Sequence, residues 1–345
     1  MLRNELTSVY WHAKVILAFL YFFENTEGFE DFMEKLVIAL GGNALQEGNG
    51  PATAEAQLEV VEKTSVYIAD IIEKGYHVVL AHGNGPQVGR IVLQNETAVN
   101  VTPAMPFDVC GAMSQGMIGY HMQQGLTKAL RARGNHTGAA TVVTQVVVDP
   151  NDKAFLNPSK PIGPFYGEEE AKKLQSEKGY SVKEDAGRGW RRVVASPMPV
   201  EIVELPEVKC LIEGGFVVIT VGGGGIPVVR NESGDLVGTA AVIDKDLASE
   251  RLAEDLDADA LLILTAVEQV CLNYGKPNEK RLSTITVAEA EQYIAENHFA
   301  PGSMLPKIQA AVKFANSKAG RRAIVTSLDK AVDALTGKAG TVIIK

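Results

Sequence analysis

Three lysines and three glycine turns are the residues whose types and spacing could do chemistry. Asp244-Lys245-Asp246 sets a lysine between two acids at what reads as a helix start. Lys160 lies in Asn157-Pro158-Ser159-Lys160-Pro161-Ile162-Gly163-Pro164, where prolines stiffen the backbone on both sides. Lys307 follows Pro301-Gly302-Ser303-Met304-Leu305-Pro306, early in an expected helix. The glycine turns are Gly41-Gly42-Asn43, Gly83-Asn84-Gly85 and Gly222-Gly223-Gly224-Gly225, each directly after an apolar run. Glycine lets a backbone turn sharply and lets a ligand approach its N–H groups. Successive N–H groups facing one way form an anion nest, and a following helix adds its N-terminal dipole. If the lysines converge, they and the turns suit phosphoryl transfer, in which positioned cations and donors offset charge spread over oxygens. Asp244 and Asp246 would orient the lysines, and Asp246 could instead hold Mg²⁺ with nucleotide phosphates.

Each feature alone also has a plainer reading. Asp244 could be a helix cap with Lys245 solvated; Lys160 and Lys307 could be surface lysines; the turns could be tight strand-to-helix geometry without a ligand. His82 reads as a structural histidine and Cys271 as an inert strand residue. Other nucleotide motifs are absent. There is no G-x-x-x-x-G-K-[ST] and no kinase H-R-D or D-F-G set. Gly83 to Gly89 is one residue off the dinucleotide fingerprint, with Pro86 where that fingerprint wants a helix start. A net charge of −9 argues against binding nucleic acid through its backbone. Three scattered cysteines give neither a disulfide framework nor a zinc site, which fits a reducing, cytoplasmic setting.

The elements that must position these residues form an alternating pattern. Val- and Ile-rich runs at 36–40, 78–81, 140–148, 216–221, 261–265 and 323–327 read as strands buried on both faces. Helices are expected at 54–73, 110–133, 199–213, 244–256, 287–297 and 302–318. The alternation predicts an α/β fold with a mostly parallel sheet and helices on both faces. Ligands of such sheets bind beyond the carboxyl ends of the strands, where all three glycine turns fall. Residues 149–190, rich in proline and charge, interrupt the rhythm as a loop or lid over a site. Residues 1–32 read as a separate extension before a domain at 33–345. Their apolar run, 15–23, is too short to span a bilayer, and no small-x-small cleavage site follows it.

Eight ordered blocks make the chain similar to the carbamate kinases of the amino acid kinase superfamily. They are Gly41-Gly42-Asn43-Ala44-Leu45, the segment from Gly83 to Gly89, Asn157 to Pro164, Val194-Ala195-Ser196-Pro197, Gly222 to Val228, Asp244 to Ala248, Asn273 to Pro277 and Phe299 to Lys307. The resemblance covers about residue 33 to the C-terminus. It implies a three-layer αβα sandwich around an eight-stranded, mainly parallel sheet, with a small lid insertion, in a homodimer. It also implies reversible phosphoryl transfer between MgATP and carbamate, giving MgADP and carbamoyl phosphate, often run toward ATP in arginine catabolism.

Carried over by position, Lys160, Lys245, Lys307 and Asp244 would be catalytic. Gly41, Gly42, Asn43, Gly83, Asn84, Gly85, Gly223 and Gly224 would bind substrate. Lys245, Thr265, Val267, Tyr274, Met304 and Lys307 would meet the nucleotide, and Mg²⁺ would come mainly with its phosphates. The chain departs from the pattern at Ala266, where many relatives place an acid, and at Cys271, near a common tyrosine. Cys271 would then border the nucleotide within reach of thiol reagents. Two alternatives remain: another kinase of the superfamily acting on a carboxylate or phosphate, and a non-catalytic nucleotide-binding regulator. The first is disfavoured by Ile38-Ala39-Leu40 before Gly41, where other branches carry a lysine. The second is disfavoured by the presence of all three lysines.

Overall fold

The computed structural model describes residues 33–46, 50–185 and 189–345. The expected extension at 1–32, including the apolar run at 15–23, lies outside the described residues. Eight strands form the main sheet: β1 (Lys35–Leu40), β2 (His77–His82), β3 (Ala139–Thr141), β4 (Val217–Ile219), β5 (Ala260–Thr265), β6 (Thr284–Thr286), β7 (Arg322–Ser327) and β8 (Thr341–Ile344). Their order is β6-β8-β7-β5-β1-β2-β4-β3. Every neighbouring pair is parallel except β7 with β8.

The strands read as continuous apolar runs because both faces are covered. In β1, Leu36, Ile38 and Leu40 point into one core with Ile68 of helix Ala54–Glu73 and Leu126 of helix Phe107–Arg131. Val37 and Ala39 point the other way, toward Ala248 and Leu252 of helix Lys245–Asp255 and Ile308 of helix Met304–Ser317. The five β1 residues from Leu36 to Leu40 are fully buried, and each large one contributes about 1.5–3 kcal/mol. The expected three-layer sandwich is present.

Four expectations change. The run at 140–148 is two strands. Its first part is β3; the chain then turns, and Gln145–Val148 joins a second sheet with Leu236–Gly238, Ile226–Arg230 and Pro199–Ile202. The turn is fixed by Thr144, whose hydroxyl meets Val142 O and Thr220 Oγ1 at 2.7 Å each. The expected helix at 199–213 is likewise a strand, Pro199–Ile202, followed by helix Leu205–Glu213. Pro86 does not block a helix: it sits in the first turn of Gly85–Thr97, where a missing N–H costs nothing.

The insertion at 149–190 is more than a loop. Strands Lys160–Tyr166, Val182–Glu184 and Trp190–Val194 form an antiparallel sheet that carries helix Glu168–Lys178. In chain order the first strand of this sheet starts at Lys160 and the last ends at Val194.

Candidate active site

The three glycine turns leave the carboxyl ends of three adjacent strands, β1, β2 and β4. Several of their glycines answer a close approach. A Cβ on Gly41 would stand 2.9 Å from Leu264 O, so only glycine lets the exit of β1 pass the end of β5. A Cβ on Gly83 would press on the Lys245 stem, 3.3 Å from its Cδ. Gly42 faces open space and begins a short 3₁₀ turn, Gly42–Ala44, whose leading N–H groups have no partner within the turn. The Gly83 N–H is already used, donating to Leu40 O at 3.1 Å.

The third turn plays a different part from the open nest expected of it. Gly222, Gly223 and Gly224 are buried, and Gly224 N–H donates to Val221 O. Gly223 has φ +68, and a Cβ there would strike the Asn84 carboxamide; one on Gly224 would strike Ile243 O. Gly223 and Gly224 are thus spacers that let the second turn and the Asp244 segment close up. Asn84 in turn donates to Ser114 Oγ at 2.8 Å. Gln115 holds the turn from helix Phe107–Arg131, donating to Gly222 O at 2.8 Å and accepting from Thr144 N at 2.8 Å. Sequence reasoning missed Ser114 and Gln115, which stand on an otherwise ordinary amphipathic helix.

The lysines do converge. Asp244 caps helix Lys245–Asp255, its Oδ1 accepting from Asp246 N at 2.9 Å, while its Oδ2 accepts from Lys160 Nζ at 2.7 Å. Asp246 is 2% exposed. Its Oδ1 accepts from Lys245 Nζ at 2.5 Å and its Oδ2 from Lys307 Nζ at 3.0 Å. Asp244 is therefore a helix cap, as the plainer reading had it, but Lys245 is buried rather than solvated.

Burial pulls the Lys245 ammonium below its usual range, against the opposing pull of Asp246. Burial alone would push the Asp246 carboxyl up; Lys245 and Lys307 outweigh it and hold the group below the usual carboxylate range. With both oxygens taken by ammonium groups, Asp246 does not fit a metal ligand. Among the described residues no cluster of His, Cys, Asp or Glu is placed to hold a metal ion. His82 is lowered to about 4 by burial, so it stays neutral, with Nδ1 2.9 Å from Gly83 O. It is almost fully buried.

A cleft of about 240 Å³ joins the pieces, lined by Gly41, Gly42, Asn43, Lys245, Thr265 and Lys307 among others. Leu328, just past β7, also lines it; nothing in the sequence pointed there. From Ala266 the chain continues into a neighbouring pocket of about 440 Å³ that includes Val267, Cys271 and Tyr274. Met304 opens the Lys307 helix but packs against the core instead of lining the cleft. Cys271 borders the second pocket, and burial with nearby Glu279 raises its thiol, which disfavours the reactive thiolate.

Residues 34–327 match the model of the amino acid kinase family. The carbamate kinase of Clostridium perfringens is 55% identical over 90% of this chain and 100% of its own length. The chain belongs to the amino acid kinase family, in its carbamate kinase branch. As a family member it is a kinase, an ATP-dependent phosphotransferase. The carbamate kinase-like protein YqeA of Escherichia coli is 55% identical over 90% of this chain and 99% of its own. Among solved structures, carbamate kinase from Giardia lamblia bound to AMP-PNP superposes with a TM-score of 0.86, at 48% identity over 91% of this chain and 99% of that one. This amino acid kinase therefore shares with solved carbamate kinases the sheet that carries its glycine turns.

Proposed function

We propose that this kinase moves a phosphoryl group reversibly between ATP and carbamate, giving ADP and carbamoyl phosphate. The observation that carries the reading is Lys245 and Lys307 paired on one buried carboxylate, Asp246, beside the Gly41–Asn43 turn. Two ammonium groups sharing one counter-charge keep a surplus of positive charge directed at an incoming phosphate. The relatives' names point to carbamate, and AMP-PNP in the Giardia structure points to an adenine nucleotide.

Carbamate is already an anion, so no general base is needed to activate it. The chain's task is to hold two anions together and stabilise the charge of transfer. Lys245 and Lys307 would contact nucleotide phosphates from the buried side, with Asp246 fixing their directions. Lys160 would reach the transferred group from the lid, steered by Asp244. The N–H groups of Gly42 and Asn43 would meet the acceptor or the transferred group. Thr265, Val267 and Tyr274 would border the nucleoside across the two pockets. Mg²⁺ would arrive with the nucleotide, where it offsets phosphate charge.

We further assign the enzyme to the cytoplasm, to a homodimer, and to the ATP-forming direction in arginine catabolism. Support for the dimer is an apolar stripe at Val109, Met113 and Tyr120, all exposed on one face of helix Phe107–Arg131. The test of the reaction is ATP formation from MgADP and carbamoyl phosphate by the parent and by Lys245→Ala. The substitution is expected to cost about a hundredfold in rate, roughly 3 kcal/mol. A folded parent that makes no ATP from carbamoyl phosphate sinks the carbamate reading. A panel of other carboxylate and phosphate acceptors then separates another kinase activity from a nucleotide-binding regulator.

A further inference from the structure

Lys160 reaches Asp244 only because the lid sheet lies where it does, and one helix of the body seats that sheet. At the near end of helix Gly85–Thr97, Gly89 lies against the lid backbone. A Cβ there would stand 3.1 Å from Gly163 Cα and 3.2 Å from Gly163 N. At the far end, Glu96 gathers three lid side chains. Its Oε1 accepts from Tyr180 Oη at 2.5 Å, its Oε2 accepts from Lys178 Nζ at 3.2 Å, and Arg192 Nη1 lies 3.7 Å from Oε1. Arg192 stacks on the Tyr180 ring, 3.8 Å from its centroid, and faces Phe107 of the body at 5.8 Å.

Glu96 and Arg192 are largely screened from water, whereas Lys178 is exposed. The side chains of Glu96 and Arg192 are 21% and 19% exposed. Burial, then the bond to Glu96, pushes the Tyr180 phenol up to about 12, so it remains a donor at neutral pH. The link to the site is short. Arg192 lies on the central lid strand opposite Ile162, and two residues along the same strand Val194 lies opposite Lys160. A shift at Arg192 therefore moves Lys160 within one rigid antiparallel pair.

We propose that Glu96 is a positioning residue for phosphoryl transfer: it latches the lid onto helix Gly85–Thr97 and so sets where Lys160 stands relative to Asp244. Glu96 does not line the cleft at Lys245; its effect passes through the lid alone. The proposal rests on the phosphotransferase reading, and the test keeps the two separable.

The experiment compares the parent, Glu96→Ala, Glu96→Gln, Lys160→Ala and the Glu96→Ala/Lys160→Ala double variant. All carry Trp11→Phe, which leaves Trp190 on the central lid strand as the sole tryptophan. Rates, melting temperature and Trp190 emission are measured on each. Misplacing a catalytic group by about 1 Å can cost up to about a hundredfold, so Glu96→Ala is expected to lose roughly tenfold or more in kcat. Its Trp190 emission shifts to the red as the lid lifts. Glu96→Gln, which keeps an acceptor for Tyr180, recovers most of the rate. In the Lys160→Ala background the same Glu96→Ala change alters the rate less than about twofold, because coupled residues are not additive.

An undiminished loss in that background, or no loss in the single variant, overturns the latch. If the parent itself is inactive toward carbamoyl phosphate, the functional reading fails on its own. Unchanged Trp190 emission in Glu96→Ala then rejects the latch as well, and a red shift upholds it as a lid anchor.

Discussion

At the scale of single residues, the decisive arrangement is one acid between two lysines. Asp246 is buried with an ammonium group on each oxygen, and breaking a buried pair costs far more than a surface one because a charge is left uncompensated. Asp246→Asn is therefore expected to lose about 3 kcal/mol of stability in urea denaturation without ligand. Because Lys245 and Lys307 would then face each other unneutralised, inorganic pyrophosphate should raise the melting temperature of the variant more than that of the parent. Equal shifts would mean that the lysines are not available to phosphate. The three lysines were legible because each sits in an unusual local setting: between acids, between prolines, or next to Pro306. Gln115, Ser114 and Leu328 were not, because their importance comes only from what the fold brings beside them.

At the scale of elements, helices Lys245–Asp255 and Met304–Ser317 must hold Lys245 and Lys307 in register. They are joined by Glu250, fully buried, and Lys313, whose Nζ lies 2.6 Å from Glu250 Oε2. Burial outweighs Lys313 and pushes the Glu250 carboxyl from its ordinary 4.5 up to about 8. Between those values the folded state keeps a proton that the unfolded chain releases, so stability falls as pH rises through that window. Each pH unit removes up to about 1.4 kcal/mol. Glu250→Gln should flatten this slope between pH 5 and 8 in thermal melts; an unchanged slope would assign it to other groups.

The same scale shows what patterning can and cannot give. Runs such as 36–40 were readable as strands because both faces are apolar. The run at 140–148 hid a turn at Thr144-Gln145, because the partners that hold Thr144 there include Thr220 and Gln115, distant in sequence. Helix Glu168–Lys178 was invisible to periodicity because only Ala171 is buried. Its signals were three glutamates in the first turn and Gly179 at its end, with φ +67.

At the scale of the whole molecule, the proposed homodimer makes a plain prediction. Sedimentation should give twice the 37.0 kDa chain mass, and Met113→Glu with Tyr120→Lys should return it to one. A parent that sediments as a monomer at micromolar concentration removes the dimer from the proposal. The sheet order carries a further consequence, for how the molecule is made. β1 lies between β2 and β5, and Lys35 N–H donates to Asp259 Oδ2 across 224 residues. During synthesis β2 can join β1 early, while the opposite edge of β1 waits until β5 has emerged. Unpaired apolar edges invite association with other chains. A strand buried on both faces in the finished enzyme is thus a vulnerable one in the nascent chain.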